Sequence, residues 1–384
     1  MKQGWEYKKL GEVTSFFRGL TYSGKDEVSF SNNVVLRSNN IDLSTNTINF
    51  DELKFISDSI IIPKEKKLKK NSIFMCMSNG SEKHLGKVAF IDKEYPYAFG
   101  GFMGLIVPKE NEIIPKMAYY YFCSQKFKAY ISSIGNGANI NNIKFVDIAK
   151  DIIPLPPKST QLAIVSELDK INELIRLKKE QLKDFDNLAQ SIFYEMFGDP
   201  MENEMGWEVK KLVEVSSLIN GRAYKQNELL NEGKYKVLRV GNFFTNSNYY
   251  YSNLELDDEK YCYKGDLLFA WSASFGAFIW DEGKTIFHYH IWRVLFDEKN
   301  LNIYYYKYLL NTMTNFFMND VHGIGMVHLT KAGMEQYNLP LPPLPLQQLF
   351  AQRIEQIEHQ KAEVQKAIAD LETLLASRMQ YWFE

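Results

Sequence analysis

GWEYKKLGEVTSFFRGLTY (residues 4–22) is written again as GWEVKKLVEVSSLINGRAY at 206–224, an offset of 202. The correspondence continues down the chain. VVLRSNNI (34–41) lies over KVLRVGNF (236–243) at the same offset of 202, and NSIFMCMS (71–78) over GDLLFAWS (265–272) at 194. FGGFMGLIVPKE (99–110) lies over FHYHIWRVLFDE (287–298) at 188, and PLPP at 154–157 recurs at 340–343, an offset of 186. An offset that only shrinks is what loop deletions in the second copy produce. A period near half the chain is too long for a solenoid, so this is a tandem duplication of a whole domain with a trailing segment.

Each copy reads alike. Short β-branched and aromatic runs such as VVLRS, SIFMCM, KVAFI and GLIVP, separated by Asn, Gly and Ser clusters, predict strands. PKMAYYYFCSQKFKAYIS (115–132) and IYYYKYLLNTMTNFFMNDV (303–321) are of helix length, and their tyrosine runs Tyr119–Tyr121 and Tyr304–Tyr306 read as core-facing. A Gly-rich loop follows each, IGNGANINN and HGIGMVH. The expected class is α+β, with two similar mixed α/β domains at 1–155 and 201–341.

The trailing segments, 156–200 and 342–384, carry the longest regular pattern. Alternating steps of four and three from Ile164 reach Leu168, Ile171, Ile175, Lys178, Leu182, Phe185, Ala189, Ile192 and Met196. The same steps from Phe350 reach Ile354, Ile357, Lys361, Val364, Ile368, Leu371, Leu375, Arg378 and Trp382. A sustained period of 3.5 with charges elsewhere predicts a coiled-coil seam. Two such helices behind equivalent domains are expected to pair as a long antiparallel coiled coil with internal pseudo-two-fold symmetry. Docking of each helix on its own domain is the alternative. PLPP, just before each helix, reads as a stiff exit from the domain, since proline disfavours helix before it and cannot complete a strand ladder. A polyproline ligand is the competing use of such a phrase.

Composition narrows the function classes. The formal net charge of −2 gives no bulk basic surface. Residues 1–153 carry 21 Lys+Arg against 16 Asp+Glu, whereas 206–339 carry 14 against 15. Any DNA binding must therefore rest on local contacts. Cys76, Cys123 and Cys262 are odd in number and far apart, which predicts a reducing cytoplasm and no disulfide framework. There is no charged-then-apolar leader and no run of about 18 apolar residues, so neither export nor a membrane span is expected.

Motifs for catalysis are few. His288-Tyr289-His290 has the i, i+2 spacing of two metal ligands, yet spacing suggests no third, so strand packing or a base or phosphate contact is the better reading. GGFMG (100–104) and GIGM (323–326) match neither GxGxxG nor GxxxxGK[ST]. Lys64, Lys66, Lys67, Lys69 and Lys70 form the densest basic run, suited to phosphate or to solvent. Arg37 and Arg239 occupy equivalent positions, and a shared residue reads no difference.

The layout of domain, PLPP-x-x-x-Q, long helix ending SIFYEMFGD, then the same again ending ASRMQYWFE, resembles the specificity subunit of type I restriction-modification enzymes along the whole chain. The resemblance implies two target recognition domains, each reading half of a split double-stranded DNA sequence, with the helices as spacer. It implies no catalysis and no cofactor on this chain, since S-adenosylmethionine, ATP and Mg are expected on the two methyltransferase subunits and the motor-nuclease subunits that are its partners. Base reading needs Arg on guanine and Asn or Gln on adenine, and the segments that differ most between copies offer such groups. Asn39, Asn40, Asn79, Lys83, His84 and Asn139 are expected at the first half-site. Tyr224, Lys225, Asn242, Ser274, His288, His290 and His328 are expected at the second. A stand-alone nuclease and a coiled-coil scaffold without DNA specificity are the rival classes.

Overall fold

The computed structural model describes residues 4–81, 84–135, 142–244, 248–319 and 329–384. The chain divides into two compact units, one built from Met1–Lys178 with Ala367–Glu384 and the other from Lys179–Lys366.

In the first unit, the opening repeat folds as strand Glu6–Lys9, a helical turn Leu10–Val13 and strand Thr14–Arg18. The turn forms because Leu10 and Val13, three apart, both sink fully into the core. Thr14–Arg18 then pairs antiparallel with Met103–Pro108, which pairs with Ser72–Cys76, which pairs with Val88–Ile91. Every residue of Ser72–Cys76 is buried, which explains why SIFMC reads as a continuous apolar run rather than an alternation. A second sheet runs in the order Ala98–Phe99, Asn33–Leu36, Lys54–Ile56, Glu27–Val28. The helix Pro115–Cys123 starts on a proline, whose missing N–H costs nothing at that position, and buries Tyr120 and Tyr121.

The second unit repeats the plan. Ser216–Asn220, Ile291–Phe296, Leu267–Ser272 and Ser274–Ile279 form its main sheet. Tyr250–Ser252, Tyr235–Leu238, Thr285–Phe287 and Tyr261–Cys262 form the other. The helix Ile303–Thr312 buries Tyr305 and Tyr306. The units differ in one hairpin of the main sheet. Residues 77–87 join the third and fourth strands of the first main sheet, whereas Ala273 alone, at φ 64°, turns the corner in the second.

The proline phrase behaves differently from the expectation that it leaves the sheet. Pro154 lies inside the strand Ile152–Leu155, opposite Tyr7, and Pro340 inside Asn338–Leu341, opposite Val209. Each is a two-stranded ribbon, where every strand has an open edge, so the missing proline N–H removes no ladder bond. The glutamine four residues after the last proline then locks the exit. Gln161 is buried; it accepts from Ile114 N (2.9 Å) and donates to Pro156 O (2.9 Å). Gln347 is buried likewise; it accepts from Asn302 N (2.8 Å) and donates to Asn300 O (2.9 Å) and Pro342 O (2.8 Å). One amide therefore ties the ribbon, the start of the long helix and the start of the shorter helix together.

The long helices are Lys158–Phe197 and Leu344–Phe383, 40 residues each. In the first unit, Ile164, Leu168, Ile171 and Ile175 are buried, and Leu375, Met379 and Trp382 pack on the same core as Ile164 and Leu168. Glu167 there accepts from Arg378 Nη2 (3.1 Å) and from Trp382 Nε1 (3.0 Å). In the second unit, Phe350, Ile354, Ile357 and Val364 are buried, with Leu182 and Phe185 half-buried. Lys361 Nζ meets Asp186 Oδ1 at 2.7 Å, while Phe193 meets Phe350 at 5.7 Å, so the segments run antiparallel within that unit. Ile368 is buried and Leu371 half-buried in the first unit. The seam departs from strict heptads at its ends. Phe193, Phe197 and Phe383 are buried where the 3.5 period points to Ile192, Met196 and Trp382, which are half-buried. There the helix packs on a domain core as well as on its partner helix, with Phe193 and Phe197 both against Phe350, and a straight helix of 3.6 residues per turn drifts off the heptad.

Candidate nucleic-acid interface

One turn recurs in both units with the same backbone hydrogen bonds and different side chains. In the first unit it is Gly100–Met103. Leu20 N donates to Phe99 O (2.7 Å), Gly100 N to Leu36 O (2.9 Å), Met103 N to Gly100 O (2.8 Å) and Met77 N to Phe102 O (2.9 Å). In the second it is His288–Ile291. Arg222 N donates to Phe287 O (3.0 Å), His288 N to Leu238 O (2.9 Å), Ile291 N to His288 O (3.0 Å) and Trp271 N to His290 O (3.1 Å). The shared glycine of the opening repeat is required by this turn. A Cβ on Gly19 would stand 2.0 Å from Gly100 O, and one on Gly221 2.3 Å from Phe287 O. Gly100, Gly101 and Phe102 thus correspond to His288, Tyr289 and His290.

In the first unit the turn walls a cleft of about 680 Å³ shared with Arg18, Arg37, Asn39, Ser78 and Asn79. Arg18 Nε donates to Gly101 O (3.4 Å), and the Asn79 amide donates to Ser38 Oγ (3.2 Å). Asn39 is exposed, with its amide on Glu52 Oε2 (3.0 Å). Arg37 Nε is buried without a hydrogen-bond partner among the described residues. Asn40 is fully buried. It accepts from Arg37 N (2.8 Å) and donates to Asn49 O and Glu52 O, so its amide holds the loop that displays Asn39. His84 is half-buried, its Nδ1 without a partner among the described residues. Lys83 and Asn139 lie outside the described residues. The basic run is partly engaged at home, with Lys66 Nζ on Arg18 O (2.7 Å) and Lys69 over the Phe17 ring (4.2 Å).

In the second unit, Asn242 repeats the loop-holding role of Asn40, accepting from Arg239 N (2.9 Å) and donating to Asn248 O (3.0 Å). The R-x-x-N spacing shared by both copies carries that signal. Tyr224 and His288 stand together, ring centres 6.3 Å apart, with the Arg222 guanidinium 5.2 Å from the tyrosine ring. Arg222 is itself clamped by Glu228 through two bonds of 3.0 and 2.8 Å, which hold that carboxyl down to about 2. Burial, then His290, then Arg239 push the His288 imidazole down to about 4, so it is neutral at pH 7. Its Nδ1 accepts from His290 N at 3.4 Å. His290 stands edge-on to Trp271, centres 5.1 Å apart. Lys225 is exposed beside the same face, and Ser274 is half-buried just past the hairpin corner. His328 lies outside the described residues. Among the described residues, no group of three or more His, Cys, Asp and Glu could hold a metal ion. No helix among them is long and apolar enough to cross a membrane.

Arg18 and Phe102 also line the cleft and are not among the contacts expected from the sequence. The signal was present, because GGF stands opposite HYH in the repeat and Arg18 immediately precedes the shared glycine.

One backbone frame is used twice, with different polar and aromatic groups at its tip. The chain belongs to the family of the type I restriction modification DNA specificity domain, which matches residues 2–184 and again 204–373. It is 25% identical over 258 residues to the type I restriction enzyme StySPI specificity subunit of Salmonella potsdam, covering 63% of this chain and 54% of that one. The EcoKI specificity subunit of Escherichia coli strain K12 is 29% identical over 172 residues, 44% of this chain and 36% of the relative. Against these two the chain spans about half the relative's length or less. A putative type I restriction enzyme MjaX specificity subunit of Methanocaldococcus jannaschii is 24% identical over 97% of this chain and 93% of its own. Among solved structures, a chain from a type I R-M system studied for complex assembly and conformational transition has a TM-score of 0.58 at 18% identity, covering 100% of this chain and 98% of that one. The S subunit of a type I restriction-modification system from M. genitalium has a TM-score of 0.54 at 15% identity, again over 100% and 98%. These likenesses establish the fold as that of such subunits.

Proposed function

We propose that this chain is the non-catalytic DNA-specificity subunit of a type I restriction-modification complex, each unit reading one half of a bipartite duplex target. The observation that carries this is the shared turn, held by matching hydrogen bonds and tipped with Gly-Gly-Phe in one unit and His-Tyr-His in the other. A single fixed frame with different tips is what two unlike half-sites require. Asn39, Asn79, His84, Lys83 and Asn139 would meet the first half-site. Tyr224, Lys225, Ser274, His288, His290 and His328 would meet the second, with Asn40 and Asn242 holding the loops. Two methyltransferase subunits binding S-adenosylmethionine, and motor-nuclease subunits using ATP and Mg, would supply the chemistry in the cytoplasm.

In this reading 1–155 and 201–341 are the recognition domains, and 156–200 and 342–384 form one antiparallel coiled coil that sets the gap between half-sites. The antiparallel contacts within the second unit, and Arg378 on Glu167 in the first, support it. The test removes one heptad from each long helix at facing positions. Seven residues at 1.5 Å shorten the rod by about 10 Å, or about three base pairs at 3.4 Å each. Mapping methylated bases in cells carrying the full complex should show the same two half-sequences with a shorter gap. Altered half-sequences, or an unchanged gap, would defeat the spacer reading.

A further inference from the structure

Phe102 is 71% exposed, yet its backbone is pinned. Its carbonyl accepts from both Met77 N (2.9 Å) and Ser78 N (3.1 Å), and the turn it crowns is closed by Met103 N on Gly100 O (2.8 Å). The Arg18 guanidinium is attached to the same turn through Gly101 O at 3.4 Å. The ring stands on the rim of the 680 Å³ cleft whose other walls are Arg18, Arg37, Asn39 and Asn79. Gly100 leaves that cleft open. A Cβ there would meet its nearest atom only at 3.7 Å, so the absent side chain is not forced by crowding. In the second unit the same positions hold His288 and Tyr289, and His290, the counterpart of Phe102, lies edge-on to Trp271. The second tip packs on itself, whereas the first presents a free phenyl ring beside donors suited to guanine, adenine and phosphate.

We propose that Phe102 is an apolar wedge that enters the duplex at the first half-site, separating one base step while Arg18, Arg37, Asn39 and Asn79 engage the adjacent edges and phosphates. A rigidly mounted ring can prise a step apart because it does not retreat, and pyrimidine–purine steps yield most readily. The inference rests on the DNA-specificity reading above. It adds that the two half-sites are treated unequally: the first is read by deformation as well as by contact, the second by contact alone.

The test uses the full chain assembled with its methyltransferase subunits and duplexes carrying the mapped target, with 2-aminopurine placed at successive steps of both half-sites. Apart from the target bases that the methyltransferase subunits flip out of the stack in both half-sites, the native complex should raise the fluorescence at one step of one half-site. Phe102→Ser should abolish that rise and weaken binding about 5- to 150-fold, the range a base–aromatic stack is worth. Phe102→Leu should keep most of both, and an abasic site opposite that step should restore Phe102→Ser to within about threefold of the native complex. Binding by Phe102→Ser within about twofold of native, with the fluorescence pattern unchanged, would overturn the wedge and leave the specificity reading standing. If the native complex bound target and scrambled duplexes equally, the specificity reading itself would fall.

Discussion

Replacing Gln347 by leucine should cost more stability than replacing Gln161, although both occupy the same place in the repeat. Leucine is close in volume but removes every polar contact. At Gln347 this leaves Asn302 N, Asn300 O and Pro342 O without their partner; at Gln161 it leaves Ile114 N and Pro156 O. Each net hydrogen bond is worth about 1 kcal/mol, and a buried group left unpaired costs more. The expected losses are therefore about 3–4 kcal/mol at Gln347 and about 2–3 kcal/mol at Gln161. For units of this size, each kcal/mol moves the melting temperature by about 2–4 °C. Thermal unfolding followed by circular dichroism on the full chain should show about 6–16 °C of destabilisation for Gln347→Leu in the transition of the second unit. Gln161→Leu should move the first unit's transition less. Losses under about 1 kcal/mol at both sites, or the reverse order, would show that the glutamines do not clamp the helix exits.

Two further outcomes follow from the turn. His288 is neutral in the folded protein down to about pH 4 but ordinarily titrates near 6.5, so the unfolded chain binds the extra proton first. Stability should be complete above pH 6.5 and fall as pH drops towards 4; denaturant midpoints should show a loss of up to about 2 kcal/mol between pH 7 and pH 5, much reduced in His288→Gln. Gly19→Ala and Gly221→Ala should each cost about 3 kcal/mol or more, because the new Cβ meets carbonyl oxygens rather than a flexible side chain; a melting temperature within about 2 °C of native for either would refute the close approach.

Much of the fold was legible because the duplication let each half check the other. A strand in SIFMC and a helix at Pro115 each have a counterpart at a computable offset, whereas Asn40 and Asn242, expected at the half-sites, turn out to hold loops. The prolines of PLPP misled because their effect depends on whether the strand has an open edge, which is a property of the sheet and not of the residue. Asn40 and Asn79 read alike as polar loop residues, yet one is wholly buried and the other lines the cleft. Lys66 is drawn to backbone carbonyls by a loop that no local pattern reveals.

The sequence by itself determined the duplication, the class of each unit, the two long amphipathic helices and the repeated joint before them. These follow from periodicity and repetition, which act between near neighbours along the chain. Only the tertiary structure decided where Phe193, Phe197 and Phe383 go, which glutamine contacts seal each joint, and that Gly100 and Phe102 flank an open cleft while His290, the counterpart of Phe102, stands edge-on to Trp271. Those outcomes depend on segments about 50 to 200 residues apart, such as Gln161 with Ile114 and Glu167 with Arg378, whose meeting is set by packing the whole unit rather than by any local preference.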